Sequence, residues 1–469
     1  MSNDTDVPSS SCTFEEIVTS PYKVGLEDEV NPSAKCSADH FFRQIWQKQP
    51  AIFHTSQRQD PKSGALSNAL SMAWNDVADL LSQCRQGESQ PLYFQQGKPV
   101  TDPHCLYSSN PFAAYLDSCS VIVNHADFHH HLIASLCNDL QKTFPHVYAN
   151  TYLTPPNGHA VEAHADDRDV LVIQIIGQKT WKVYKHVPVQ FPFEKEQVGK
   201  NGLEVPPSIK TAGLCFEQEM VLQPGDVLYM PRGFVHEATT ETINSGPFMP
   251  SFHATIAIAT HDWCLSVVLS DTIRHMLNGV ADFRKALPIG LSPEYKSSSG
   301  SICPNKQLDQ AMSMIQNNVT TEVLERNLKA KYDMHNSHAK ECRDKIINAQ
   351  SKKRKRCEEY VGYNAASQLD LDSVVRASIP DERESVVIEE GQLRGLTVRQ
   401  ENCTALMGIL AVLKQDPSLH VKVRELRDIY DEKDSISKLD MICDFTLLSF
   451  ARCCVELGAL ALVESLSTL

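Results

Sequence analysis

Between Ala160 and Tyr184 the chain reads AVEAHADDRDVLVIQIIGQKTWKVY. His164 and Asp166 stand two residues apart ahead of an apolar run, and Lys179 follows that run. Residues i and i+2 of a strand point to the same face. On a strand, this imidazole and this carboxylate would therefore converge on one point. A third ligand has to come from a distant strand. His236, in LYMPRGFVHEATT just after a Pro-Gly-Asp turn, is the best placed. Two His and one carboxylate make the facial set that holds Fe(II) and keeps positions open for a bidentate cosubstrate and dioxygen. H-x-D alone is a weak signal. The chain has 18 His, which gives many accidental pairs, and such a pair is more often structural than metallic.

Lys179 sits in GQKTWKVY, after the turn at Gly177. An ordinary strand lysine is solvated. Next to a metal it becomes a point charge for the far carboxylate of 2-oxoglutarate, whose other end chelates iron. Asn150 and Tyr152, in YANTYLTPP, alternate onto one face of a neighbouring strand and could hydrogen-bond the same molecule. Thr255, in FHATIAIA, could do likewise. Without further context, these three read as core or turn residues. Asp167, Arg168 and Asp169 flank the ligands and read as a solvated charged rim. Asp167, Asp169 and Glu162 would steer a basic peptide inward. The three histidines at 129–131 fall in a predicted helix and read as surface residues.

These side chains need elements to hold them. From about Tyr93 to Asp262 the chain breaks into short apolar runs punctuated by Pro and Gly: SVIVNHAD, VYANTYLTPP, VLVIQIIG, TWKVYKH, EMVLQPGDVLYMP and HATIAIATH. Many short strands with such turns predict a jelly-roll sandwich or barrel. Pro224-Gly225-Asp226 supplies turn chemistry between two of the strands. Before them, Phe41, Phe42, Ile45 and Trp46 fall at helical spacing and predict a helix ending before Pro50. Residues 263–345 turn helical around a Ser/Gly/Pro loop near 290–305, and an amphipathic helix is predicted over 438–463.

The chain has 469 residues, a size for two to four domains. It is 42% hydrophobic and 22% charged, as globular proteins are. A net charge of −14 argues against a surface built to grip phosphates and suits a basic partner. No apolar stretch reaches membrane-spanning length. The opening MSNDTDVPSSSC predicts neither a signal peptide nor a transit peptide. Fifteen Cys without C-x-x-C spacing read as reduced thiols rather than a zinc site. Residues 352–356, KKRKR, read as a nuclear localisation signal, a nucleic-acid patch or a solvated linker. Residues 369–469 carry 18 Asp and Glu against 11 Lys and Arg, which disfavours phosphate binding there.

The Asn-x-Tyr strand, the H-x-D, the Gly-x-Lys-x-Trp strand and the P-x-G-x-x-H ending at His236 occur together in one order and spacing. In this the chain resembles the JmjC-type ribosomal oxygenases, closely over about 40–265 and loosely beyond. The resemblance implies an α+β architecture with a cupin-like double-stranded β-helix. The implied layout is a tail at 1–13, a JmjC catalytic domain at 14–265, a helical dimerisation segment at 266–350, a basic linker at 351–368 and a winged-helix domain at 369–469. It implies iron on His164, Asp166 and His236, and 2-oxoglutarate on Lys179 with Asn150 and Tyr152 in support; Thr255 is added from the strand pattern. O2 is the second cosubstrate. Family members hydroxylate a ribosomal-protein side chain, histidine in eukaryotes and arginine in bacteria, and histone demethylation is also attributed to them. The chain departs from the family in HADDRDV and in the long segment 190–218, both candidates for the substrate entrance.

The expected function is an Fe(II)/2-oxoglutarate histidyl-hydroxylase of a ribosomal protein, homodimeric and nuclear, in the nucleolus, in ribosome biogenesis. N-methyl-lysine demethylation is the alternative within the same chemistry. A non-catalytic cupin-like scaffold in ribosome or chromatin assembly is the alternative outside it. The intact triad with Lys179 favours an enzyme, because a scaffold has no need to keep these groups in register.

Overall fold

The apolar runs become strands. In the computed structural model they are β1 (Ala51–His54), β2 (Leu92–Gln95), β3 (Lys98–Pro99), β4 (Ser120–Val123), β5 (Val147–Thr154), β6 (Asp169–Ile176), β7 (Lys179–Val183), β8 (Met220–Leu222), β9 (Asp226–Met230), β10 (His236–Thr239) and β11 (Ser251–Ile258). The structure describes residues 41–54, 64–86, 90–100, 110–200, 202–216, 219–240, 249–286, 304–349, 361–378, 400–429 and 442–463, with short pieces between 388 and 398. The opening stretch 1–13 and the basic run 352–356 lie outside the described residues.

Eight strands form one sheet in the order β1-β9-β6-β11-β5-β4-β2-β3, and three form a second in the order β10-β7-β8. Neighbours are antiparallel throughout. Val170, Val172, Leu228 and Met230 of the larger sheet pack on Trp181, Val183, Met220 and Leu222 of the smaller one. The result is the expected jelly-roll. Leu171, Ile173 and Ile175 leave the opposite face of β6 and join the helical side of the core. A strand buried on both faces reads as a nearly continuous apolar run, which accounts for VLVIQII; its one polar residue, Gln174, is buried and donates to the Ile176 and Gly177 carbonyls.

Helices α1 (Ala65–Leu70), α2 (Trp74–Gln86), α3 (Pro111–Leu116) and α4 (His131–Leu140) contribute to that helical side. The helix predicted at Phe41 shortens to a π-helical turn, Phe41–Ile45. Its rings still pack as expected: Phe41 and Trp46 meet Phe144 and Tyr229 at centroid distances of 5.1–6.3 Å. His130 is buried rather than exposed, because it precedes the first turn of α4 with Nε2 3.9 Å from Asp76 on α2.

By its contacts the chain divides into two units: Met1–Ile258 with Cys342–Leu469, and Ala259–Glu341. The second is helical, with α5 (Leu265–Asn278), α6 (Pro304–Asn318) and most of α7 (Thr321–Ala349). Within it, Asn327 donates to the Thr272 hydroxyl at 3.1 Å and Lys331 to the Asp262 carbonyl at 2.7 Å.

In the first unit the C-terminal elements are α8 (Tyr363–Gln368), β12 (Val374–Ala377), α9 (Gln400–Gln415), β13 (Val421–Lys422), α10 (Asp444–Glu456) and β14 (Leu460–Val463), with a sheet of order β13-β12-β14. The helix expected over 438–463 is shorter: it covers Asp444–Glu456, and Leu460–Val463 is a strand. Nearly all of α10 is buried, so the apolar residues read as one stripe in fact surround it. Phe445 meets Tyr115 at 4.9 Å and Trp74 at 5.0 Å, and Arg85 grips Glu456 with two bonds of 2.6 and 2.7 Å. The C-terminal elements thus share one core with α2 and α3.

Candidate active site

His164 precedes β6 rather than lying on it. It forms an isolated antiparallel bridge with His236, the first residue of β10. The His164 N–H donates to the His236 carbonyl at 3.0 Å, and the His236 N–H returns a bond of 2.9 Å. The two imidazoles are therefore opposed by backbone pairing, with ring centroids 4.4 Å apart. The convergence read from H-x-D exists, but a cross-bridge produces it instead of strand alternation. Asp166 is tied from the other side, where its carbonyl accepts the Gly233 N–H at 3.0 Å.

Each ring is oriented by a carbonyl two residues before it. His164 Nδ1 meets Glu162 O at 2.7 Å, and His236 Nδ1 meets Phe234 O at 3.1 Å. A carbonyl only accepts, so each Nδ1 carries the proton and each Nε2 keeps a lone pair for a metal. Asp166 Oδ1 lies 3.8 Å from His164 Nε2, and Oδ2 lies 3.7 Å from His236 Nε2. All three ligand atoms fall within 4.8 Å of one another. Burial, then Lys200 and His236, press the His164 imidazole down to about 3, so the ring is neutral. Burial lowers His236 as well. For Asp166, burial works upward, but Lys200 and the two imidazoles prevail and hold the carboxyl well below the usual carboxylate range.

The triad opens into a cavity between the two sheets. Its lining includes Tyr152, Val170, Val172, Lys179, Trp181, His253 and Thr255. Lys179 is only 2% exposed, and its amine donates to the Thr154 hydroxyl at 2.9 Å. Burial brings the ammonium down to about 7. Its register comes from Gly177, in the turn between β6 and β7. There φ is +67, and a Cβ would lie 2.2 Å from the Pro250 carbonyl, so only glycine fits.

Of the residues singled out from sequence, six line this one cavity: His164, Asp166, His236, Lys179, Tyr152 and Thr255. Asn150 does not, and its side-chain oxygen accepts the His125 N–H at 3.1 Å. Asp167 and Asp169 are both fully buried, not a solvated rim. Arg168 grips Asp167 at 2.6 and 2.9 Å, while Asp169 accepts the Tyr229 hydroxyl at 2.6 Å. They cannot steer a peptide. Of the predicted steering acids, Glu162 alone is exposed. It lines an outer groove together with Glu204 and Glu237.

Three residues were missed. His253 pairs with Tyr152 across β11 and β5 and stacks on its ring at 4.9 Å and 2°. Thr154 and His253 each stand two positions from a residue that was named, so strand parity alone could have found them. Lys200, whose amine lies 2.5 Å from Asp166 Oδ1, left no such signal.

A domain model described as "JmjC domain" matches residues 122–261. The chain carries a JmjC domain. The triad, Lys179 and Thr255 all fall inside the match. Among named proteins, the chain is similar to the bifunctional lysine-specific demethylase and histidyl-hydroxylase NO66 of Drosophila mojavensis. The identity is 28% over 210 residues, covering 42% of this chain and 21% of that protein. It is also similar to human ribosomal oxygenase 1, 26% identical over 270 residues, covering 53% of this chain and 37% of that one. The chain therefore spans well under half the length of these two relatives. Among solved structures, the Escherichia coli ribosomal oxygenase YcfD superposes over 91% of this chain and 98% of its own, at 15% identity and a TM-score of 0.37.

Proposed function

We propose that the chain is an Fe(II)- and 2-oxoglutarate-dependent oxygenase that hydroxylates a histidine of a ribosomal protein. One observation carries the proposal. Two neutral imidazoles and a carboxylate converge in the same cavity as a buried lysine whose amine meets a hydroxyl rather than an acid. A solvated or merely structural lysine has no reason to be there, since burying a cation without a carboxylate is costly.

The residues fit both groups. The donor set of two Nε2 atoms and one carboxylate suits Fe(II) and leaves coordination positions free. Around Lys179, the buried His253 Nδ1 and Trp181 Nε1 have no hydrogen-bond partner, so the cradle has polar capacity for a carboxylate ligand. Bound there, Fe(II) and 2-oxoglutarate with O2 supply the oxidant that converts a substrate C–H to C–OH while succinate and CO2 leave. The chain does the rest. His164 and His236 hold neutral nitrogens in place, and Asp166 supplies the negative charge. Lys179 fixes the far carboxylate. Val170, Val172 and Met230 keep water from the cavity floor. The outer groove is lined by Glu162, Glu204 and Glu237 together with Lys200 and Lys210, so it offers a peptide both signs of charge.

The printed names of the relatives, ribosomal oxygenase and histidyl-hydroxylase, support the substrate class. The basic run 352–356 supports a nuclear, nucleolar location. Homodimerisation through the helical unit is part of the same reading. Incubating the protein with Fe(II), 2-oxoglutarate, O2 and candidate ribosomal proteins should add the mass of one oxygen to a histidine. Release of formaldehyde from methylated histone peptides, with ribosomal proteins unmodified, would instead favour the demethylase activity that also appears in the NO66 name.

A further inference from the structure

Residues 194–200 belong to the long departure from the family pattern, and they lie against the stretch that carries His164. Their hold is built into the backbone. Ala165 N–H donates to the Val198 carbonyl at 2.8 Å, and Gly199 N–H to the Leu203 carbonyl at 2.7 Å. At Gly199 φ is +78, and a Cβ would sit 2.3 Å from Ala163 O and 2.8 Å from His164 Cα. The loop therefore lies directly against the backbone of a ligand residue, and only glycine permits that approach. The next residue is Lys200, with its amine 2.5 Å from Asp166 Oδ1. Among the described residues, Lys200 is the donor hydrogen-bonded to this carboxylate.

We infer that Lys200 is a positioning residue for the metal centre: it pins Asp166 Oδ1 and leaves Oδ2 as the oxygen presented to the metal. The inference rests on the proposed metal site. An exposed ion pair ordinarily contributes little. This one differs because Asp166 stands between two imidazoles and the loop that delivers Lys200 is fixed to the ligand segment. A carboxylate free to turn about its last torsion offers either oxygen to either imidazole side. A charge-assisted bond to one oxygen selects a single orientation. Partners of this kind beyond the ligands commonly set metal affinity within a factor of about 10–100.

The test uses the full chain and Mn(II) as the probe, with free Mn(II) followed by electron paramagnetic resonance. Lys200→Met keeps most of the aliphatic stem and removes the donor. Lys200→Arg restores charge and donor. Asp166→Ala reports on the site itself. The expected result is no specific binding in Asp166→Ala, about 10- to 100-fold weaker binding in Lys200→Met, and recovery to within about threefold of the parent in Lys200→Arg. Unchanged affinity in Lys200→Met with binding lost in Asp166→Ala overturns the role of Lys200 and leaves the site standing. Tighter binding in Lys200→Met overturns it too, because Lys200 would then compete with the metal. Parental Mn(II) binding in Asp166→Ala overturns the site and this role together.

Discussion

Lys179 is a cation in a place that opposes charge. Its ammonium falls from 10.5 to about 7 because it is buried. Between those two values the unfolded chain keeps the proton that the folded chain has lost. Stability from this group is therefore fully present above pH 10.5 and is lost as pH falls toward about 7. A carboxylate ligand reverses the preference, since it needs the ammonium. The dissociation constant of 2-oxoglutarate should be flat below about pH 7 and should then weaken, approaching tenfold per pH unit, with proton uptake measurable by calorimetry in buffers of different ionisation enthalpy. A flat profile from pH 7 to 9 would mean that Lys179 does not hold the carboxylate. Lys179→Ala should leave Mn(II) binding intact and weaken 2-oxoglutarate by roughly 10- to 150-fold, the equivalent of about 1.5–3 kcal/mol. Lys179→Met should raise the melting temperature while weakening 2-oxoglutarate as Lys179→Ala does, because the buried charge is gone.

At the scale of elements, the turn between β6 and β7 ties the fold to the chemistry. Gly177→Ala forces a methyl against the Pro250 carbonyl at a positive φ. It should cost about 1–3 kcal/mol of stability and weaken 2-oxoglutarate more than Mn(II), since Lys179 lies two residues on while His236 pairs with Val183 at the far end of β7. Equal losses for both ligands would count against that separation. The same elements show what a sequence can disclose. The strands were legible because apolar runs, Pro-Gly turns and parity are local properties, and parity also placed Tyr152 on the cavity, where Thr255 joins it from the run FHATIAIA. Parity placed Asn150 there too, but it does not report that a loop N–H at His125 takes up the side-chain oxygen. The burial of Asp167 and Asp169 depends on Arg168 and Tyr229 meeting them in space. Lys200 reaches Asp166 from 34 residues away through a close approach at Gly199, which no spacing rule anticipates. The end of α10 was misread because a strand of small and apolar residues, LALV, continues the same apolar composition.

For the whole molecule, two expectations follow. Leu265, Leu308, Met312, Leu328 and Met334 of the helical unit stand exposed, and they are the apolar side chains that pairing of two helical units would cover. Light scattering at micromolar concentration should give the mass of two chains, and a single-chain mass would refute the dimer. In the other unit, Phe445→Ala removes a fully buried ring from the core shared by α2, α3 and α10. It should destabilise by about 3–5 kcal/mol and lower the melting temperature as followed by near-ultraviolet dichroism. A change confined to a fraction of a kcal/mol would mean that the shared core is dispensable.

That shared core has a consequence for synthesis. Trp74, Phe112 and Tyr115 leave the ribosome long before Phe445, which completes their packing. At roughly 5–20 residues per second, the interval between Tyr115 and Phe445 is on the order of 15–65 s. For that time the first helices present aromatic surface with nothing yet made to cover it. The nascent chain thus carries that surface uncovered until α10 arrives to complete the core.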